Sequence, residues 1–146
     1  MSAITVAMFD NFRFVVLHST ALALASREDN VHNDASWLLE IRLFKLHPGT
    51  RAEFDRISRE GTIPMMRRYG INVVAHGPSL NDEDGYFLLR AFPSEEQRVT
   101  QSQVIYATAE WAENYEEPIM GMIADYHTAV MPMSSELVQG LAATSA

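Results

Sequence analysis

The chain has 146 residues, 47% of them hydrophobic and 21% charged, with a formal net charge of −8. That length suffices for one domain with its own core, and the acidic balance argues against a nucleic-acid surface or an anionic membrane as partner. No cysteine is present, which excludes disulfides, thiolate metal sites and cysteine catalysis; no apolar run reaches the ~18 residues of a membrane-spanning helix.

Phe12 to Ala25 is apolar and ends in an Ala-x-Ala triplet similar to a secretory cleavage site. Asp10 offsets Arg13, however, and His18, Ser19 and Thr20 interrupt the apolar stretch, so a cytoplasmic protein is expected, with export as the alternative. Residues 27–36 are polar and read as a linker. The chain thus divides into an extension and linker (1–36), a domain (37–133) and a flexible tail (134–146) with one short helix.

Trp37–Leu46 reads as a strand, with Leu39, Ile41 and Leu43 on one parity and Glu40, Arg42 and Phe44 on the other. Pro48-Gly49 ends it. Thr50 and Glu53 have the spacing of a capping box, predicting a helix from there to Tyr69, with Phe54, Ile57, Met65 and Met66 facing inward. Gly61 and Pro64 predict a kink within it, and Gly70 a stop. Ile71–Gly77 and Gly85–Phe92 are further strands joined across an acidic loop. Ser94 and Gln97 open a second helix, which runs to Ala107. A shorter helical stretch covers 110–123, and 124–133 is the last strand.

The order β-α-β-β-α-β predicts an α+β, ferredoxin-like sandwich with a four-stranded antiparallel sheet and both helices on one side. If the smooth apolar parities meet the helices, the open face carries Phe44, Val74, Tyr86 and Leu88 beside several charges. Such a face calls for a partner, and a homodimer through the sheet face is expected.

Three stretches, "LLEIRLFKLHPGTRAEF", "GPSLNDEDGYFLLRAFPSEEQR" and "YATAEW", resemble the NIPSNAP family of dimeric α/β-barrel proteins. The resemblance covers 37–133. It implies a ferredoxin-like protomer whose sheet faces that of a second copy. The wider superfamily includes cofactor-independent monooxygenases, isomerases, haem-dependent enzymes and non-catalytic ligand-binding domains, so fold alone does not choose an activity.

Asp82, Glu83 and Asp84 are consecutive, whereas a calcium loop of the EF-hand type needs alternating acids and a distal glutamate; a solvated hairpin tip is the expectation. His76, Arg90, Glu40, Arg42 and Tyr86 form the leading candidate set. They share one face if the apolar parities point to the helices. A symmetric six-residue loop would set His76 opposite Phe87, so an offset or bulge is expected. Two roles fit these residues: a pocket with a histidine base, arginines for an anion and a tyrosine donor, or an ion network that stabilises the sheet or dimer. Asp125 and His127 share a parity of the last strand, which makes His127 a second candidate base. Tyr106 and Trp111 are candidates for the pocket mouth, with core packing as the alternative. No glycine-rich phosphate loop or nucleophile elbow occurs, and the histidine spacing carries no metal signature. The expected function is binding of a small, partly apolar metabolite by a cofactor-independent enzyme using His76, His127 and Arg90. The alternatives are a non-catalytic ligand-binding or assembly module and a haem-dependent enzyme with an axial histidine.

Overall fold

A computed structural model describes residues 36–144. The signal-like stretch and nearly all of the linker lie outside the described residues. β1 (Ser36–Leu46) leads through the Pro48-Gly49 turn into helix α1 (Arg51–Ile57). A π-helical turn (Ser58–Thr62) continues into α2 (Ile63–Arg68). β2 (Asn72–Pro78) and β3 (Gly85–Phe92) form a hairpin. Then follow α3 (Glu95–Tyr106), α4 (Ala109–Asn114), α5 (Glu116–Met122), β4 (Ile123–Ser134) and α6 (Ser135–Thr144). The sheet order is β2-β3-β1-β4, antiparallel throughout. This is the four-stranded ferredoxin-like sheet that the alternation of elements predicts. The helix expected in the tail forms as α6.

Local chemistry explains most boundaries. Gly49 (φ 81°) and Gly70 (φ 83°) occupy left-handed positions that side chains with a Cβ disfavour, turning the chain into α1 and out of α2. The kink predicted at Gly61 and Pro64 appears as the π turn. There the ring of Tyr115 lies so close against Gly61 that an added Cβ would overlap its Cε1. Ser94 caps α3 by accepting from the Gln97 amide at 3.2 Å. The capping box expected at Thr50 does not form. Thr50 is helical rather than extended, and its hydroxyl donates to the His47 carbonyl at 2.7 Å. Glu53 pairs with Arg56 instead. The single helix expected over 110–123 is two, broken at Tyr115, where φ is −126°.

Apart from Val73 and Val74 at the β2 bulge, the faces of the sheet are the reverse of those predicted. The parity bearing Glu40, Arg42 and Phe44 packs under the helices: Phe44 meets Phe54 of α1 with ring centroids 5.5 Å apart, and Arg42 reaches Tyr106 of α3. Tyr86 and Leu88 are buried on this same side. The smooth parity of Leu39, Ile41 and Leu43 lies on the other face. The prediction rested on the smooth apolar parities meeting the helices. Here the charges satisfy one another, so burying them is tolerable, and the apolar parity is left to cover the second face. α6 covers part of that face, placing Val138 in a cluster with Leu39, Val74 and Ala91. Beyond it Leu43 and Met131 stay 52% and 42% exposed. β4 is exposed at nearly every residue.

Candidate functional site

Register decides which polar side chains meet. Gly77 pairs with Phe87 and His76 with Leu88, so the hairpin has the offset that the sequence called for. A further shift between Val73 and Ala75 turns Val74 towards α6 while His76 stays on the helix side. The acidic loop is a latched hairpin tip: Lys45 Nζ donates to Asp82 Oδ1 and Oδ2 at 2.8 and 2.9 Å, and Arg51 donates to the carbonyls of Ser79 and Asp82. Across the sheet one row runs His76, Leu88, Arg42, Thr128. Two strand spacings separate His76 from Arg42, roughly 10 Å between backbones.

On the β2 side, His76 Nδ1 lies 3.0 Å from the Tyr86 hydroxyl, and that hydroxyl donates to Asp55 Oδ1 at 2.8 Å. The groups fix each other's protons. Burial raises the Asp55 pKa, but bonds from Arg59 and Tyr86 outweigh it and hold the carboxyl below its usual range. Burial and the Asp55 carboxylate push the Tyr86 phenol up, so it stays protonated. Its one proton goes to Asp55, which as a carboxylate only accepts. His76 must therefore donate from Nδ1, leaving the Nε2 lone pair free. Burial and then Arg67 lower the His76 pKa, so the ring is neutral at neutral pH. Half-buried on a strand beside the helix edge, His76 presents a neutral base of fixed tautomer.

Beneath α3 lies a second cluster. Glu40 Oε1 accepts from Arg42 Nε (2.8 Å), Arg90 Nε (2.8 Å) and Arg90 Nη2 (2.6 Å), and Oε2 accepts from Arg98 Nη1 at 2.9 Å. Arg98 also forks onto Glu95. Arg90 Nη2 reaches Ser102 Oγ, and Arg42 Nη1 donates to the Tyr106 hydroxyl at 3.0 Å. Desolvation raises the Glu40 pKa, but Arg42 and Arg90 outweigh it and the carboxyl falls to about 2.

The five strand residues of the candidate set thus share a face, as expected, but it is the helix-covered face and not the open one. Within it they separate into the His76–Tyr86 pair and the Glu40–Arg42–Arg90 cluster. Tyr106 joins the cluster through Arg42. Trp111 packs edge-on against Tyr106 at 4.9 Å and is buried. His127 is elsewhere: it pairs with Leu43 on the open face, with its side chain 81% exposed and 3.5 Å from Asp125. Asp55 and Arg98 complete the two clusters and escaped the sequence reading. A signal existed for each: Asp55, Ser58 and Thr62 recur at the spacing of one helix face, and Arg98 follows Glu95 by one turn.

No family model matches the chain, and no curated protein does. Solved structures do. A NIPSNAP family protein from Agrobacterium tumefaciens superposes with a TM-score of 0.64 at 13% identity, covering 71% of this chain and 91% of that one. A NIPSNAP-like domain protein from Burkholderia xenovorans gives 0.62 at 19%, covering 71% and 90%. The chain has the fold of NIPSNAP family proteins. A putative antibiotic biosynthesis monooxygenase from Nitrosomonas europaea is more distant, with a TM-score of 0.52 at 11% identity over 72% and 95%. At these identities the NIPSNAP and monooxygenase likenesses carry architecture alone.

Proposed function

We propose that this NIPSNAP-like protein binds a small, partly apolar metabolite and acts on it by acid–base chemistry, with His76 as the base. The supporting observation is the Asp55–Tyr86–His76 chain. Nε2 is a neutral acceptor, ready to take a proton from an acidic C–H or O–H of the ligand. The imidazolium so formed is stabilised through Tyr86 by the Asp55 carboxylate, and returning the proton to another atom completes an isomerase- or lyase-type step. Arg90 and Glu40 hold the sheet beneath α3 and do not touch the reacting atoms on this reading. His127 lies on the face that a second copy would cover, which favours an interface role over a catalytic one. The protein acts as a homodimer through that face, for which the exposed Leu43, Met131 and β4 argue.

A panel of small metabolites, tested for turnover and binding with the full chain and with His76→Ala, examines the proposal. The variant should lose at least about 100-fold in turnover, the usual contribution of a positioned base, while still binding. Equal turnover, or binding with no conversion by either protein, overturns it.

A further inference from the structure

The charges beneath α3 do not balance. Arg42, Arg90 and Arg98 meet two carboxylates, Glu40 and Glu95, which leaves one positive charge over. Arg90 is fully buried, and its Nη1 has no hydrogen-bond partner among the described residues. The Phe92 ring, 5.3 Å from Arg90 Cζ, faces the charge, but a ring face supplies only part of what an anion would. An unmatched guanidinium donor in the interior costs free energy that native structures avoid. Tyr106 reports the same excess from its own side. Burial raises its phenol, yet the charges of Arg42 and Arg90 outweigh that and the net shift is downward.

We infer that the arginine cluster beneath α3 is a binding site for the carboxylate of a small apolar acid, seated against Arg90 Nη1 and Arg42. The excess is one charge, which fits a monoanion. A planar oxyanion matches the guanidinium fork, and the neighbouring Phe92 and Leu88 suit an apolar body. On the solvent side of the cluster, Arg42 pairs across the sheet with the exposed Thr128 and bonds the partly exposed Tyr106. The inference does not depend on His76 being a base.

Benzoate is the probe, with benzamide as its neutral counterpart and chloride holding ionic strength constant. Melting of the full chain should shift upward and saturably with benzoate and stay unmoved by benzamide. The shift should disappear in Arg90→Met and persist in His76→Ala. As a measurement that needs no variant, the side-chain Nε–H resonances of Arg42 and Arg90 in the wild type should move with benzoate and not with benzamide. Equal responses to the two probes, unmoved arginine resonances, or loss of the response in His76→Ala would each overturn the assignment. Turnover loss in His76→Ala is read separately, so either proposal can fail without the other.

Discussion

Glu40 shows how much one residue can carry. It is fully buried and accepts from three arginines, so removing its charge strands all three. Glu40→Gln should cost about 3–5 kcal/mol, the usual result of breaking a buried pair from one side, measured by denaturant unfolding at pH 7. Its pH dependence has a definite sign. The carboxyl lies near 4.5 in the unfolded chain and falls to about 2 in the folded one. The stabilisation is therefore complete above about 4.5 and is lost as pH falls towards about 2, amounting to about 3 kcal/mol in all. Unfolding between pH 6 and 2.5 should show this acid loss in the wild type, with the Glu40 component absent from the variant. From sequence, Glu40 and Arg42 were visible as members of one parity. Their burial was not, because it depends on Arg98, 58 residues away from Glu40, and no periodicity in β1 encodes that contact.

Elements were more legible than faces. The hairpin, the α3 cap and the last strand follow from turn residues, capping spacing and alternation, which act over a few residues. The inversion of the sheet came from a distant cause: α6 buries Val138 over Leu39, giving the smooth parity a cover of its own. The first helix illustrates the middle range. Gly61 was expected to disturb it, and the structure supplies the reason in Tyr115, which needs the space a side chain would occupy. Gly61→Ala should destabilise the protein by about 1–3 kcal/mol, as overpacking does. Adding Tyr115→Leu should restore part of that loss in a thermal melt. No recovery would mean that backbone freedom, and not the ring, fixes this position.

At the scale of the molecule, the apolar strip around Leu43 and Met131 and the long exposed edge of β4 are the features on which the proposed homodimer rests. A second copy across this face would bury His127 with Asp125, two groups that now stand in water. Leu43→Asp should convert a dimer into a monomer in light scattering at micromolar concentration, since a desolvated charge opposing its own copy is strongly unfavourable. A wild-type monomer under those conditions would remove the basis for the homodimer. The homodimer is an expectation from sequence that this experiment decides; of the residues the sequence assigned to the open face, Val74 lies there and Phe44, Tyr86 and Leu88 lie on its reverse.

The hairpin between β2 and β3 has a consequence for how such chains can diverge. His76 and Tyr86 meet because Ser79 pairs with Gly85, which sets Pro78 opposite Tyr86 and His76 opposite Leu88 on the same face as the tyrosine. A slip of that pairing by a single residue would turn His76 to the opposite side of the sheet, whereas a change of length confined to the loop tip would leave it in place. Insertions and deletions in this loop are thus sorted by whether the pairing of Ser79 with Gly85 survives them, and chains that retain the histidine–tyrosine pair should keep that register whatever the length of the tip.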